Sequence, residues 1–378
     1  MAKPAVLIVL DGWGIAPPGP GNAISLTKLV NIPSLWHSYP HTSLTASGTA
    51  VGLPDGEDGN TETGHINLGA GRIVYQDLPR INMSIADGSF FRNDAFLAAM
   101  RYAKTHGSNL HIMGVITDAG VHASREHLYA LLQMLREQQF PQPVFLHLFT
   151  DGRDAFPKSG LRFVTDVEQK LSETGIGRLA TIIGRYYAMD RDRRWDRTKI
   201  AYEALTDGTG EKSVSAVAAI KNSYSAGVTD EFIKPIIIVD GQGKILPRIG
   251  NHDAVIFFNY RIDRPRQLTR AFVLSDFETA LPRMSFDPYA VKYFHRHVVN
   301  EDLSATPFKR RIVLPDLFFV TMTEYERDLP CTVAFPNIQV KMPLGEVFSD
   351  YNLRQLRLSE TEKERFVTYY FNGMHLRR

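Results

Sequence analysis

Short apolar runs alternate with amphipathic stretches through the middle of the chain, and this alternation constrains the fold most strongly. The apolar, β-branched runs predict buried strands at 110–116, 144–149, 179–183, 235–239 and 254–258. The amphipathic stretches predict helices at 125–139, 161–173, 198–205 and 264–273. Strands that alternate with helices predict an α/β fold with a mainly parallel sheet.

Charged residues and glycines follow four of the predicted strands. In a parallel sheet, ligands bind beyond the carboxyl ends of the strands, so these residues predict a binding site. Solvated loop charges remain the alternative explanation. The residues concerned are Asp118 and His122, the run Asp151-Gly152-Arg153-Asp154, Gly184 with Arg185, and the run Asn259-Tyr260-Arg261.

Arginines are concentrated in two short segments. The segment 185–197 holds five arginines and three aspartates, and Arg261, Arg264 and Arg266 form the second group. The planar guanidinium binds carboxylate and phosphate through two parallel hydrogen bonds. Two such groups predict a small substrate with two anionic ends, although a salt-bridged helix start could also explain the first segment. A net charge of +2 gives no general case for nucleic-acid binding.

The first part of the chain carries two weaker signals. The apolar run 6–10 predicts a buried strand that ends at Asp11, and a carboxylate at a strand end is a frequent metal ligand or catalytic group. The stretch 48–71 is rich in glycine and polar residues and predicts a loop without regular structure. Thr61 lies in this stretch, and taken alone it is explained as a residue of a turn.

Composition and length add few constraints. A chain of 378 residues suggests two domains, and a single cysteine, Cys331, excludes an intrachain disulfide and favours a cytoplasmic location. His65, His122 and His147 can each be ordinary hydrogen-bonded histidines. No CxxC spacing indicates a zinc site built from local ligands.

Eight segments, taken in order, resemble the cofactor-independent (2,3-bisphosphoglycerate-independent) phosphoglycerate mutases, and the likeness runs from Leu7 to Gly373. The segments are DGWG (11–14), GNTETGHINLGAGR (59–72), TDAGVHAS (117–124), DGRD (151–154), GRYYAMDRDRRW (184–195), NYRIDR (259–264), MTEYE (322–326) and QLRLSETEK (355–363). The resemblance implies an α/β protein of the alkaline phosphatase superfamily. Its phosphatase domain, incomplete in this chain, would comprise 1–76 and 335–378, with an inserted α/β transferase domain at 77–334.

The resemblance also implies a reaction and the residues that carry it. The family are isomerases that interconvert 3-phosphoglycerate and 2-phosphoglycerate through a phosphoenzyme, without bisphosphoglycerate, using two divalent metal ions that are usually manganese. By position, Thr61 would be the nucleophile and a metal ligand, and Asp11 would be a metal ligand. The residues expected to bind substrate are His122, Arg153, Asp154, Arg185, Arg191, Arg261, Arg264 and Lys363. We expect a monomer that binds small molecules and neither nucleic acid nor membrane.

Three departures from the family pattern affect these expectations. Threonine stands at position 61 where the family has serine, and Glu364-Arg365-Phe366 stands where it usually has Tyr-Ala-His. By the resemblance, the chain also stops before most of the family's metal ligands. We therefore expect this chain to fold mainly in its inserted domain and to be nearly inactive alone. A non-catalytic remnant that binds phosphoglycerate, or a metal-dependent phosphatase of the same superfamily, remain alternatives.

Overall fold

The structure, a computed structural model, describes residues 4–279 and 306–375. The described residues form two compact units, which lie within Met1–Pro79 plus Ile338–Arg378 and within Arg80–Asn337. We call them the first and second unit. None of the described helices is long and apolar enough to cross a membrane.

Helices and strands are numbered in chain order. The helices are α1 (Ala23–Leu26), α2 (Asn31–Ser38), α3 (Thr61–Ala70), α4 (Asp77–Ala86), α5 (Asp94–His106), α6 (Arg125–Glu137), α7 (Gly160–Thr174), α8 (Arg185–Ala188), α9 (Trp195–Thr206), α10 (Ala216–Ser225), α11 (Pro265–Val273) and α12 (Leu344–Asp350). The strands are β1 (Leu110–Ile116), β2 (Val144–Thr150), β3 (Arg178–Gly184), β4 (Glu211–Ser213), β5 (Ile236–Ile238), β6 (Ala254–Phe257), β7 (Phe318–Thr323) and β8 (Thr332–Phe335).

The second unit is built on one sheet with the strand order β4-β5-β3-β2-β1-β6-β7-β8. Neighbouring strands are parallel except for the antiparallel pair β3 and β5, so the predicted mainly parallel sheet is confirmed. Every residue of β1 and β2 is buried, as expected for central parallel strands covered on both faces. Ile116 pairs with Thr150, and Thr150 pairs with Gly184, so three strands end side by side. Their following loops therefore meet at one edge of the sheet.

Local sequence signals explain the helices beside this sheet. Ser124 caps α6 by accepting a hydrogen bond from the backbone N–H of Glu126, and the apolar face of the helix is buried. Gly175 ends α7 with a φ of +68°, a left-handed conformation that favours glycine. The predicted helices at 125–139 and 161–173 are thus confirmed, with ends shifted by no more than two residues.

The predicted buried strand at 6–10 is wrong. The side chains of these five residues are 41–77% exposed, and none of the described strands pairs with them. An apolar run becomes a strand only when a neighbour satisfies its backbone N–H and C=O groups. The apolar composition of this run therefore did not determine its structure.

The predicted loop at 48–71 is also wrong, because α3 occupies its second half. Asn60 caps this helix by accepting a hydrogen bond from the N–H of Thr63 at 2.9 Å. Gly69 packs against the backbone of Phe371 so closely that a Cβ would lie 1.9 Å from the carbonyl oxygen. Glycine at this position therefore permits close packing of a helix. The glycine-rich composition of the segment predicted a loop instead.

Candidate functional site

Arg185 is the centre of a charged cluster at the carboxyl edge of the sheet. It begins α8 directly after β3, and its side chain is 2% exposed. Nη1 donates to Asp151 Oδ1 at 2.5 Å and to Asp154 Oδ2 at 2.6 Å, while Nη2 donates to His122 Nε2 at 3.0 Å. Burial alone would lower the pKa of Arg185, but the two carboxylates outweigh it and raise the pKa. The guanidinium is therefore a fixed cation.

The turn after β2 presents the two carboxylates. Asp151 is buried, and its Oδ1 also accepts hydrogen bonds from the backbone N–H groups of Arg153 at 3.2 Å and Asp154 at 3.0 Å. Gly152 adopts a φ of +68°, and a Cβ there would lie 2.7 Å from the backbone nitrogen of Glu231. The sequence Asp-Gly-Arg-Asp thus forms a tight turn in which Asp151 organises the backbone and Asp154 points to Arg185.

His122 lies between carboxylates from two different loops. Its Nε2 accepts from Arg185 and is 3.4 Å from Asp154 Oδ2, and its Nδ1 is 3.8 Å from Asp263 Oδ1. Burial, followed by the charge of Arg185, lowers the pKa of His122 to about 4, while Asp263 and Asp154 act in the opposite direction. The imidazole is therefore neutral near pH 7. Because Nε2 accepts a hydrogen bond, the ring proton lies on Nδ1.

Asp263 joins the second arginine group to this cluster. Its Oδ2 accepts a hydrogen bond from Arg191 Nη1 at 2.6 Å, and its Oδ1 accepts one from Arg261 Nε at 3.2 Å. The side chains of Arg191 and Arg261 are 46% and 45% exposed, whereas that of Asp263 is 16% exposed. The two arginines therefore expose cationic groups to solvent, and both are hydrogen-bonded to the more buried carboxylate of Asp263.

The remaining predicted substrate residues differ in their surroundings. Arg264 Nη1 donates to the carbonyl oxygen of Met189 at 3.0 Å, and burial together with Arg185 and Arg191 lowers its pKa to about 10. Arg153 is 55% exposed and lies 3.7 Å from Glu231. We define the arginine cluster by its directly linked members, which are His122, Asp151, Asp154, Arg185, Arg191, Arg261 and Asp263.

The sequence predicts Asp151 only as part of its run and does not predict Asp263 as a site residue. Both lie inside the motifs DGRD and NYRIDR, and they bind arginines of the cluster. A carboxylate that lies beside arginines shortly after a strand is therefore a sequence pattern that could have identified both residues. His147, one of the three histidines considered, lies within the sheet and bonds to His111 and Thr181 instead of to the cluster.

The first unit contains a second group of functional side chains, which we call the threonine site: Asp11, Thr61 and Lys363. Thr61 Oγ1 donates to Asp11 Oδ2 at 2.8 Å. Lys363 Nζ donates to the same carboxylate oxygen and lies 3.4 Å from Thr61 Oγ1. Burial raises the pKa of Asp11, but hydrogen bonds from Lys363 and Thr61 outweigh this effect and lower it. Asp11 is therefore ionised near pH 7 and faces an ammonium group.

Thr61 is the first residue of α3, directly after the capping Asn60. A helix N-terminus presents backbone N–H groups and the positive end of the helix dipole, both of which favour an anion. His65, one turn further along, is buried and bonds through Nδ1 to the carbonyl oxygen of Thr61 at 2.8 Å. The hydroxyl of Thr61 is thus held at a position where a negative charge is favoured.

The threonine site fits part of a divalent-metal site. Asp11 and Thr61 offer two neighbouring oxygen donors, the ligand type preferred by magnesium and manganese. No group of three His, Cys, Asp or Glu side chains able to hold a metal ion occurs within residues 4–279 and 306–375. The described residues therefore supply the chemical type of ligand, but only part of the number that such an ion takes.

Comparisons with known proteins identify the family of the chain. The family model described as "BPG-independent PGAM N-terminus" matches residues 81–327. The 2,3-bisphosphoglycerate-independent phosphoglycerate mutase of Chloroflexus aggregans is 48% identical over 371 residues, covering 98% of this chain and 67% of the relative. The enzyme of the same name from Moorella thermoacetica is 46% identical over 371 residues, with coverage of 98% and 66%.

A solved structure gives the same result. It is described as Leishmania mexicana phosphoglycerate mutase at low cobalt concentration, and it matches with a TM-score of 0.63 and 27% identity. The match covers 98% of this chain and 64% of that one, so the chain spans about two thirds of the length of its relatives. On this identity and coverage, the chain belongs to the family of 2,3-bisphosphoglycerate-independent phosphoglycerate mutases.

Proposed function

We propose that this protein interconverts 3-phosphoglycerate and 2-phosphoglycerate through a phosphoenzyme, without bisphosphoglycerate and with two divalent ions, preferably manganese. The observation that carries the proposal is the arginine cluster, in which one buried cation and two half-exposed cations are tied together by carboxylates. Such a set suits a small substrate with a carboxylate at one end and a phosphate at the other.

Thr61 is the proposed nucleophile. Its hydroxyl donates its proton to Asp11 Oδ2 and accepts a hydrogen bond from Lys363 Nζ, which leaves one lone pair of the oxygen for attack on phosphorus. A bound divalent ion would lower the pKa of this hydroxyl and screen the charge of the phosphoryl group. The Lys363 ammonium and the N-terminus of α3, both beside Thr61, would stabilise the phosphoryl oxygens once they are attached to Thr61.

The arginine cluster is the proposed holder of glycerate between the two transfer steps. Arg191 and Arg261 would bind the carboxylate, because their half-exposed forks can each donate two hydrogen bonds. Asp154 would accept a hydrogen bond from a glycerate hydroxyl. Burial raises the pKa of Asp154, but Arg185 and His122 outweigh it and lower it. Asp154 is therefore a hydrogen-bond acceptor that orients the hydroxyl of glycerate. Its low pKa makes it a weak base toward the proton of that hydroxyl.

The alternative functions are not favoured. A hydrolase would have no need to retain an alcohol product, whereas the arginine cluster offers several cationic contacts beyond those needed for a phosphate. The relatives that match 98% of the chain are named mutases. We further propose a cytoplasmic location, on the basis of the single cysteine, and a monomer whose partners are the two phosphoglycerates.

The test is a mutase assay with 3-phosphoglycerate, manganese and no bisphosphoglycerate. It is run on the 378-residue chain and on any longer product that the gene encodes in frame. We expect a longer product to form 2-phosphoglycerate without a bisphosphate primer, and the 378-residue chain alone to be nearly inactive. Formation only after the primer is added would contradict the proposal, and release of inorganic phosphate as the main product would indicate a phosphatase.

A further inference from the structure

We propose that Asp263 is a positioning residue that holds Arg191 and Arg261 as one anion-binding pair and fixes their position relative to His122. The inference rests on the proposed function and deepens it, because it concerns how the same site grips a phosphoglycerate. Asp263 would act through the arginines and would not itself touch substrate.

Asp263 is hydrogen-bonded to both arginines. One carboxylate oxygen takes Arg191 Nη1 at 2.6 Å and the other takes Arg261 Nε at 3.2 Å, so each oxygen holds a different guanidinium. The two arginines are 70 residues apart in the sequence, one after β3 and the other after β6. A single carboxylate therefore sets the distance between two long, flexible side chains that come from different loops.

Hydrogen bonds fix the backbone that leads to Asp263. The N–H groups of Tyr260 and Arg261 both donate to the carbonyl oxygen of His122, at 2.9 and 3.2 Å. The hydroxyl of Tyr325, which is buried, donates to the carbonyl oxygen of Asn259 at 2.5 Å. The carboxylate therefore stands on a rigid support, which is the arrangement required of a group that orients others.

The ring of His122 supplies a second, independent observation. Its Nδ1 is buried, has no hydrogen-bond partner within the described residues, and faces Asp263 Oδ1 at 3.8 Å. His122 itself is 4% exposed. Since Nδ1 carries the ring proton, Asp263 Oδ1 is a carboxylate oxygen 3.8 Å from an N–H that makes no hydrogen bond to the described residues. Asp263 thus relates three substrate-binding side chains to one another.

The sign of the change in substrate affinity when Asp263 is neutralised tests the inference. The negative charge of this carboxylate repels an anionic substrate, so charge alone predicts that neutralising Asp263 would tighten binding. Positioning predicts the opposite, because two released arginines must be ordered again when substrate binds. The direction of the change in affinity therefore separates the two explanations.

The experiment compares Asp263→Asn with Asp192→Asn in the 378-residue chain. Asp192 is a matched control: it lies 4.0 Å from Arg191 Nε and 3.8 Å from Arg194, is 55% exposed, and accepts no side-chain hydrogen bond from Arg191. Both substitutions remove one negative charge beside Arg191. By calorimetry we expect the Kd for 3-phosphoglycerate to rise about tenfold in Asp263→Asn, the effect of one lost charge-assisted hydrogen bond. Asp192→Asn should leave it unchanged or slightly lower.

A spectroscopic arm reports on the arginines without substrate. In protein labelled with ¹⁵N-arginine, the side-chain Nε–H signals of Arg191 and Arg261, assigned with Arg→Lys variants, should show restricted motion. In Asp263→Asn these two signals should become mobile, with order parameters falling below about 0.6. The signal of Arg270, which is paired with Glu326 elsewhere, should not change. A general loss of structure would instead move all three.

The outcomes of the two arms are distinguishable. If the unsubstituted chain neither binds nor converts 3-phosphoglycerate, the proposed function fails, while the arginine signals still decide whether Asp263 holds them. If the unsubstituted chain binds and Asp263→Asn binds equally well or more tightly, the inference is overturned. Unchanged motion of Arg191 and Arg261 in Asp263→Asn would overturn it as well.

Discussion

Arg185 is the residue that holds most of the arginine cluster together, and its replacement by lysine is the first prediction. Lysine keeps the charge but cannot reach Asp151, Asp154 and His122 at once, since its charge is a single point. We expect Arg185→Lys to lower the free energy of unfolding by about 3 kcal/mol, the scale of a broken buried ion pair. Chemical denaturation at pH 7 measures this loss.

A control for Arg185→Lys is available on the same edge of the sheet. Arg162 donates to Asp118 at 2.7 Å, but the two side chains are 62% and 46% exposed. Exposed ion pairs contribute about 0–1 kcal/mol, so Arg162→Lys should change stability very little. Equal losses in the two variants would contradict the structural role given to Arg185.

Thr61 is the subject of the second prediction. Replacement by alanine removes the proposed attacking oxygen, so no phosphoenzyme should form and the rate should fall by several orders of magnitude, as when other nucleophiles are deleted. Replacement by serine keeps the oxygen and removes the methyl group that restricts χ1, so activity should be kept or increased. Intact mass after incubation with 3-phosphoglycerate detects the phosphoenzyme. Normal turnover in Thr61→Ala would show that Thr61 is only a helix-start residue.

The sequence predicted most residues of the arginine cluster, but not all of the carboxylates that link them. His122, Asp154 and Arg185 were expected together because they follow neighbouring parallel strands, whose carboxyl ends meet. Asp263 depends on arginines from two loops, and the distance between these loops is set by the sheet order. No local pattern contains that distance.

At the level of elements, the three central strands share a buried polar chain. Asp253 accepts from His111 Nε2 at 3.1 Å, His111 Nδ1 lies 2.9 Å from His147 Nε2, and His147 Nδ1 lies 2.7 Å from Thr181 Oγ1. With both imidazoles neutral, His147 Nε2 donates to His111 Nδ1 and Thr181 donates to His147 Nδ1. Burial lowers the pKa of both histidines, helped by the charge of Arg248, while Asp253 opposes the shift at His111.

The third prediction concerns the effect of acid on this chain of hydrogen bonds. The pKa of each histidine is lower in the folded state than the 6.5 of the unfolded state, so the unfolded chain binds more protons in acid. Their contribution to stability is therefore complete above pH 6.5 and is lost as the pH falls below it. Each histidine should increase the slope of the free energy of unfolding against pH by at most about 1.4 kcal/mol per pH unit.

The variant His147→Gln measures this contribution. Denaturant unfolding of the variant and the unsubstituted chain is followed from about pH 7.5 to about pH 5, a range that spans the ordinary pKa of histidine. Because the variant has one buried neutral imidazole fewer, its stability should fall less steeply than that of the unsubstituted chain. Parallel curves would mean that His147 is protonated to the same extent in both states.

The elements show where sequence patterns succeed and where they fail. Strands β1, β2 and β3 were predicted because strands buried on both faces need continuous apolar runs. The run 6–10 has the same composition but is exposed, since pairing is a property of neighbours and not of the run itself. Helix α3 was missed because its two glycines, of which Gly69 permits close packing, resemble those of a loop.

At the scale of the whole molecule, the two units differ in how much of the chain they bury. Residues 4–47, which include α1 and α2, contain no buried side chain, whereas the central strands of the second unit are fully buried. Proteases cut where local unfolding is easy. The fourth prediction is therefore that limited trypsin digestion cuts first within 4–47 and spares 110–273. Mass spectrometry of the early fragments tests it, and first cuts inside β1–β3 would contradict it.

The fifth prediction is that manganese binds the 378-residue chain only weakly. The threonine site offers two oxygen donors, and Lys363 already pairs with the carboxylate that would bind the ion. Manganese in proteins takes more ligands than these two residues supply. Titration followed by electron paramagnetic resonance should show no tight site, and Asp11→Asn should remove whatever weak binding exists. Tight binding of two ions would show that other side chains of this chain complete the site.

The threonine site also has a consequence for the time course of synthesis. Lys363 follows Thr61 by 302 positions, and the whole of the sheet is encoded between them. At a translation rate of about 5–20 residues per second, the lysine leaves the ribosome about 15–60 s after the threonine. The nascent chain can complete its sheet in that interval. The ammonium that pairs with Asp11 is therefore added last, and the hydroxyl of Thr61 reaches its final surroundings only after the sheet has had time to form.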